Sequence, residues 1–145
     1  MLGFFKGKSK DNIIYSPCKG KVVPITEVSD PTFSEKVLGD GFAVIPSEGK
    51  IYAPADGEVA MVFDTLHAIT LTSSSGAEIL IHIGLDTVTL KGAPFTAHVA
   101  AGDQVKKGDL LMDVDLDKIT GAGLNTVTPL SLIHISEPTR RSYIS

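Results

Sequence analysis

Turn-forming residues interrupt this chain of 145 residues at short, regular intervals. Apolar runs rich in Val, Ile, Thr and Phe are separated roughly every 8–12 residues by clusters of Gly, Pro, Asp or Ser, and no stretch of helical length keeps a 3.6-residue apolar period. A chain divided in this way can form many short strands but few long helices. The pattern predicts an all-β fold, a compact antiparallel β-sandwich or barrel.

A self-similar segment supports this architecture. The pattern Ile14-Tyr15-Ser16-Pro17-x-x-Gly20-x-Val22 recurs 37 positions later as Ile51-Tyr52-Ala53-Pro54-x-x-Gly57-x-Val59. Two copies are too few for a solenoid, so they predict pseudo-duplicated strand-turn-strand units. Residues 34–38 and 115–120 are predicted to form short helical connectors, with Ser34 and Asp115 as their N-caps.

Charge and cysteine content exclude several classes of protein. Thirteen Lys and Arg against 17 Asp and Glu give a net charge of −4, and no basic stripe runs along any segment, so no nucleic-acid partner is expected. Cys18 is the single cysteine and has no disulfide partner within the chain. No run approaches the roughly 20 apolar residues that cross a bilayer. We therefore expect a soluble, cytoplasmic protein.

Two histidines flank a predicted antiparallel hairpin, with Ser73-Ser-Ser-Gly76 at its turn. If the loop has two or four residues centred on Ser74 and Ser75, the numbers of opposed residues sum to 149, as those of His67 and His82 do. Directly opposed side chains share a face, with Cβ atoms about 4.5–5.5 Å apart. The same register places Thr65 opposite Gly84 and Phe63 opposite Asp86. The sequence thus predicts that the two imidazoles meet.

Two neutral imidazoles at this distance can share a ligand, or one can act as a nucleophile while the other donates a hydrogen bond to developing negative charge. They can equally be structural histidines that are satisfied by the backbone or by each other. A metal site within the chain is weakly supported, because no third ligand lies nearby in the sequence and zinc normally needs three or four protein ligands.

Four segments resemble the glucose-family enzyme IIA of the bacterial phosphotransferase system: Gly39-Asp-Gly-Phe-Ala-Val-Ile-Pro46, Tyr52-Ala-Pro-Ala-Asp-Gly-Glu-Val59, His67-Ala-Ile69 and Glu78-Ile-Leu-Ile-His-Ile-Gly-Leu-Asp-Thr-Val88. The resemblance implies that His82 accepts a phosphoryl group, at Nε2. It also implies that His67 supports the phosphate by hydrogen bonding and that Thr65 orients His67.

The resemblance further implies the partners. The histidine-containing phosphocarrier protein would donate the phosphoryl group, and a cysteine on the IIB domain of a sugar permease would receive it. Regulated metabolic enzymes or transporters are further candidate partners. No cofactor is required, although zinc could be shared between His67, His82 and a partner protein. The positions that match the family's docking surface are Phe33, Val37, Phe63, Asp86 and Val88.

The resemblance also divides the chain. We expect a flexible segment over 1–12, an enzyme IIA domain over 13–130 and a tail over 131–145 that departs from the family and resembles translated vector sequence. The first part of that tail could serve as an edge strand. Two other functions remain open. One is a lipoyl or biotinyl carrier, for which Lys118 is the candidate lysine, and the other is a zinc peptidase of related architecture.

Overall fold

The computed structural model describes residues 13–37 and 39–133, which form two antiparallel sheets. The larger sheet has seven strands: β1 Gly20–Pro24, β2 Asp40–Pro46, β4 Gly57–Val62, β5 Ala68–Ser73, β6 Glu78–His82, β8 Gln104–Val105 and β10 Thr128–Ile133. They are ordered β1-β2-β10-β6-β5-β4-β8. The smaller sheet has three: β3 Lys50–Tyr52, β7 Phe95–Ala97 and β9 Leu110–Val114, ordered β3-β9-β7. The predicted all-β class is confirmed.

The predicted duplication is visible in the backbone. Strands β1 and β4 each begin at the glycine of one sequence copy. The Tyr15 amide donates to the Pro54 carbonyl at 2.9 Å, and the Tyr52 amide donates to the Pro17 carbonyl at 2.6 Å. A shift of 37 positions exchanges these two hydrogen bonds, so the two units meet about a local pseudo-twofold axis.

Short helical segments connect the strands, as expected, but one of them lies earlier than predicted. Helix α1 spans Pro31–Ser34 and is capped by Asp30, whose side chain accepts from the Thr32 amide, so Ser34 ends the helix instead of capping it. A proline at the first helical position is already set to the helical φ, which explains the earlier start. Helix α2, Leu116–Gly121, is capped by Asp115 as predicted. Two 3₁₀ turns cover Ile25–Glu27 and Thr87–Leu90.

Strand alternation gives the larger sheet two buried faces. One face packs against the smaller sheet and forms the main core with residues such as Ile69, Ile81 and Leu111. The other face carries Ala68 and Leu80, which pack beneath Ile25, Val28 and Phe33 in a second cluster. His82 follows Leu80 by two positions in β6 and so lies on the face of this second cluster.

Strand β10 differs from the predicted edge strand. It pairs with β2 on one side and with β6 on the other, so it lies inside the larger sheet. Ser131 is fully buried there, and its hydroxyl has no hydrogen-bond partner among the described residues. Residues 1–12 and 134–145, including most of the expected tail, lie outside the described part of the chain. Over 13–37 and 39–133, no helix has the length and apolar character needed to span a bilayer.

Candidate active site

The β5–β6 hairpin brings the two histidines together, but in a register that differs by one residue from the prediction. His82 pairs with Ala68, and Thr72 pairs with Glu78. The Ser73 amide donates to the Ala77 carbonyl at 2.8 Å, which leaves a loop of three residues with Gly76 at φ 96. A three-residue hairpin loop commonly ends in a left-handed glycine. The loop, residues 74–76, is therefore centred on Ser75 alone, and Ala68 instead of His67 lies directly opposite His82.

The other two predicted pairs are also wrong. Strand β6 ends at His82, and β5 begins at Ala68, so Thr65 does not pair with Gly84, nor Phe63 with Asp86. The last backbone bond of this hairpin is donated by the Ile83 amide to the His67 carbonyl at 2.8 Å.

The imidazoles nevertheless meet, because His67 lies in a tight turn that joins β4 to β5. The Phe63 amide donates to the Ala68 carbonyl at 3.0 Å, and the Leu66 amide donates to the Phe63 carbonyl at 2.7 Å. Leu66 adopts a left-handed φ of 61° just before His67. The centroids of the His67 and His82 rings lie 5.1 Å apart with an interplanar angle of 75°. The predicted contact between the two rings therefore exists, but the turn before β5 produces it and direct cross-strand pairing does not.

The backbone after β6 selects one tautomer of His82. Its Nδ1 lies 2.7 Å from the Gly84 carbonyl oxygen. A carbonyl only accepts hydrogen bonds, so Nδ1 carries the proton and Nε2 carries a free lone pair. Gly84 has a φ of 77°. A Cβ at this position would lie 2.6 Å from Cγ2 of Thr87 and 3.0 Å from the Asn125 carbonyl oxygen. Only glycine fits here without strain.

Thr87 and Asn125 hold the Gly84 carbonyl in place by fixing the residues on either side of it. Thr87 is fully buried, and its hydroxyl donates to the Ile83 carbonyl at 2.5 Å. The Leu85 amide donates to the Asn125 carbonyl at 2.9 Å. From the sequence, Gly84 was expected only as the residue opposite Thr65, and neither Thr87 nor Asn125 was expected at the site. A glycine two positions after a histidine at a strand end was the available signal, whereas nothing in the sequence pointed to Asn125.

His67 has its own hydrogen-bond partner, the hydroxyl of Thr65. Thr65 Oγ1 lies 2.5 Å from His67 Nδ1. The His67 side chain is only 8% exposed, and the Phe63 ring packs edge-on against it at 5.3 Å. Thr65 and Phe63 therefore restrict the orientation of the imidazole from two sides.

Both imidazoles favour their neutral forms. Burial lowers the pKa of His67 below its ordinary value of 6.5, and the neighbouring His82 lowers it further. Burial also lowers the pKa of His82, against the hydrogen bond to Gly84 and the charges of Asp30 and Asp86, which act in the opposite direction. At neutral pH the site therefore presents an uncharged nitrogen nucleophile beside a second uncharged imidazole.

The five predicted docking residues divide into buried and exposed positions. Phe33 is only 3% exposed and packs edge-on against the His82 ring at 5.2 Å, so it supports the imidazole from below and presents almost no surface. Val37 and Val88 are 69% and 46% exposed, and Asp86 is exposed as well. Phe63 is half-buried. Of these five residues, Phe33 and Phe63 contact the histidine rings, and Asp86 lies near enough for its charge to act on His82.

His98, Cys18 and Lys118 lie away from the histidine pair. His98 bonds through Nε2 to Asp113 at 2.7 Å on the smaller sheet. Cys18 is buried, and burial raises the pKa of its thiol to about 12, so it is unreactive at neutral pH. Lys118 lies within α2 and not at a hairpin tip, where a carrier lysine would be exposed. Among residues 13–37 and 39–133, no three His, Cys, Asp or Glu side chains are arranged to hold a metal ion.

Comparison with known proteins identifies relatives over most of the chain. The family model described as the phosphoenolpyruvate-dependent sugar phosphotransferase system, EIIA 1, matches residues 12–137. The glucose-specific EIIA component of Halalkalibacterium halodurans is 47% identical over 128 residues, which are 88% of this chain and 74% of that protein. The glucosamine-specific EIICBA component of Bacillus subtilis is 49% identical over 132 residues, which are 91% of this chain but only 21% of that longer protein.

Solved structures agree with this relationship. Glucose permease IIA from Mycoplasma capricolum matches with a TM-score of 0.81 and 38% identity, covering 90% of this chain and 82% of that one. Helicobacter pylori Csd3 matches with a TM-score of 0.52 and 12% identity, covering 91% of this chain and 37% of that one, so it shares the fold alone. The lipoyl or biotinyl carrier and the zinc peptidase are not favoured by these matches. The chain belongs to the EIIA 1 family of the phosphoenolpyruvate-dependent sugar phosphotransferase system, in which it is a phosphocarrier component.

Proposed function

We propose that Nε2 of His82 accepts the phosphoryl group from the histidine-containing phosphocarrier protein and passes it to a cysteine on the IIB domain of a sugar permease. The observation that carries this proposal is the 2.7 Å contact between His82 Nδ1 and the Gly84 carbonyl. This contact keeps the imidazole proton on Nδ1, so the Nε2 lone pair can attack phosphorus without Nε2 first losing a proton. The reaction then belongs to the cytoplasm, a reducing compartment that suits the unpaired Cys18.

The two transfers are in-line displacements at phosphorus. In the first, a bond forms between His82 Nε2 and phosphorus while the bond to the donor's histidine nitrogen breaks, and the electron pair returns to the donor imidazole. In the second, the IIB thiolate attacks phosphorus and the electron pair returns to Nε2. Such transfers depend mainly on positioning and on stabilisation of the charge on the phosphoryl oxygens.

His67 supplies that stabilisation in this proposal. When the Thr65 hydroxyl donates to His67 Nδ1, the ring carries its proton on Nε2. That N–H is then available to a phosphoryl oxygen on the neighbouring His82 ring, 5.1 Å away between centroids. A donor held in place before the reaction is worth more than a mobile one, because it needs no reorganisation as charge develops.

Both protein partners would dock over the histidine pair, and the candidate docking residues are Phe63, which packs against His67, and the exposed Val37 and Val88. Asp86 adds negative charge near His82 and would favour a basic partner surface. Because the relatives are described as glucose- and glucosamine-specific, IIB domains of hexose permeases are the first acceptors to test. Regulated metabolic enzymes or transporters would compete for the same surface.

A zinc ion could be held between this chain and a partner. His67 and His82 offer two nitrogens, half of a tetrahedral shell, so a partner carboxylate would have to complete it. Phosphorylation of His82 would remove one of the two ligand nitrogens. We expect weak zinc binding by the isolated chain, measured by calorimetry, and stoichiometric tight zinc without a partner would contradict this expectation.

The decisive experiment reconstitutes the system with phosphoenolpyruvate, enzyme I and the phosphocarrier protein. His82→Ala should lose acid-labile phosphate completely. His67→Gln should still be phosphorylated, since its nucleophile is intact, but should transfer to the IIB cysteine about 10²-fold more slowly. His98→Ala is the matched control, because His98 lies on the smaller sheet against Asp113, and it should behave as the wild type. Undiminished phosphate on His82→Ala would overturn the proposal.

A further inference from the structure

The position of the His67 ring is inconsistent with a simple extension of β5. Ala68 pairs directly with His82 and shares its face. Side chains alternate along a strand, so in a regular strand His67 would point away from His82, toward the face that carries Ile69. The His67 ring instead meets both His82 and Phe63. A local departure from strand geometry must therefore redirect it.

The departure lies at Leu66. Its φ is 61°, a left-handed conformation that residues other than glycine rarely adopt, and bulky residues least of all. Asn, Asp and Gly adopt it much more readily. A leucine at this position must be held there by its surroundings, and left-handed residues of this kind often lie at functional sites.

Two contacts hold Leu66 in this conformation. Its amide donates to the Phe63 carbonyl at 2.7 Å, closing the turn. Its half-buried side chain packs against the main core, and its Cδ1 lies near Gly92, where an added Cβ would come within 3.9 Å of it. The turn is thus closed on one side by the backbone and fixed on the other by packing.

We propose that Leu66 is a positioning residue for phosphoryl transfer: its left-handed backbone, and not its side chain as such, turns the His67 imidazole over His82. The proposal rests on the proposed function of the histidine pair and extends it to a residue that touches neither the phosphoryl group nor the nucleophile.

Two substitutions separate the backbone from the side chain. Leu66→Asn permits the left-handed conformation but removes the apolar contact, whereas Leu66→Val keeps an apolar side chain and strongly disfavours that conformation. The asparagine variant should transfer phosphate to IIB within about threefold of the wild type. The valine variant should be slower by about 10- to 100-fold, the scale expected when a catalytic group is misplaced by about 1 Å. Acceptance of phosphate by His82 should persist in both.

A structural readout accompanies the kinetics. In the asparagine variant, proton NMR should retain the cross-relaxation between the His67 and His82 rings and the lowered pKa of His67. In the valine variant the cross-relaxation should weaken, and the His67 pKa should move back toward 6.5. Leu116 also packs against the main core, from α2, so Leu116→Asn and Leu116→Val measure the effect of the same side-chain changes without a left-handed residue. Neither should alter the ring contact.

The opposite ranking would overturn the proposal. If folded Leu66→Asn loses the ring contact and fast transfer while Leu66→Val keeps them, the side chain and not the backbone orients His67. Should the valine variant fail to fold, the asparagine variant alone decides, since its loss of the ring contact contradicts the proposal and its retention supports it. The NMR measurements need no phosphoryl donor. A wild-type chain that accepts no phosphate would therefore refute the proposed function without removing the test of Leu66.

Discussion

Gly84→Ala should damage the site through two separable effects. The first is conformational: an alanine at a φ of 77° adopts a left-handed conformation at a cost of about 1–2 kcal/mol. The second is steric, because the new Cβ would lie 2.6 Å from Cγ2 of Thr87 and 3.0 Å from the Asn125 carbonyl oxygen. Both neighbours have little freedom to move, so overpacking should add about 1–3 kcal/mol. The free energy of unfolding should fall by about 2–5 kcal/mol.

Gly76→Ala provides the matched control. Gly76 has a φ of 96°, also in the left-handed region, but an added Cβ there would meet no atom within 4 Å. Its substitution should therefore cost only the conformational term of about 1–2 kcal/mol. Urea denaturation of both variants gives the difference directly. Equal losses of stability would refute the steric part of the reasoning.

A second substitution tests which neighbour matters. Thr87→Ser removes Cγ2 but keeps the hydroxyl that donates to the Ile83 carbonyl. In a Gly84→Ala background it should recover part of the steric loss, with a coupling energy on the order of 1 kcal/mol in a double-mutant cycle. Displacement of residue 84 should also disturb its carbonyl contact with His82 Nδ1, which ¹⁵N NMR detects as a mixture of imidazole tautomers. An unchanged His82 tautomer in Gly84→Ala would show that the carbonyl does not select it.

Three further predictions concern stability and orientation. The pKa values of His67 and His82 are both lowered in the folded state, so the folded state binds protons less readily than the unfolded state. The contribution of the two histidines to the free energy of unfolding is therefore complete above about pH 6.5 and declines as the pH falls below that value. Replacing both histidines with Gln should flatten this part of the plot of unfolding free energy against pH, measured by urea denaturation, and an unchanged slope would contradict the lowered pKa values. Ser131→Ala should raise the free energy of unfolding by about 1 kcal/mol, because it removes a buried hydroxyl that has no hydrogen-bond partner among the described residues. A fall in the free energy of unfolding would contradict this and would indicate that the hydroxyl makes a hydrogen bond. Thr65→Val should leave phosphorylation of His82 intact but slow the transfer to IIB. Thr65→Ser keeps the hydroxyl and should transfer at the wild-type rate. Equal transfer rates for the two variants would show that the Thr65 hydroxyl does not orient His67.

Periodic features of the chain were predictable because they follow from local chemistry. Short apolar runs between turn residues are enough to indicate antiparallel strands, and the 37-residue repeat indicates the duplication now seen in reciprocal Tyr15 and Tyr52 hydrogen bonds. Asp115 was predictable as a cap because a short polar side chain precedes a helical segment. Asp30 was missed, although the following proline at the first helical position was an available signal.

Features that depend on tertiary pairing were not predictable in the same way. The interior position of β10 requires both β2 and β6 as neighbours, and these strands are distant in the sequence. An alternating apolar pattern is compatible with an edge or an interior strand, since the period of two describes only the faces of the strand and not its partners. The sequence therefore predicted a strand here but placed it at the wrong position in the sheet.

The histidine contact was predicted correctly from a register that is wrong by one residue, and the geometry explains why. An error of one residue in a hairpin reverses which face a side chain occupies, so extending β5 in the observed register would have separated the rings. His67, however, lies in the turn before β5, where the left-handed Leu66 ends the alternation. Pairing rules apply only within strands, and this site lies where they end: His82 is the last residue of β6, and the groups that orient the two imidazoles, Gly84 and Thr65, lie in the connections beyond. Strand arithmetic could bring the two segments together, but the direction of each ring depends on turn conformations that alternation does not describe.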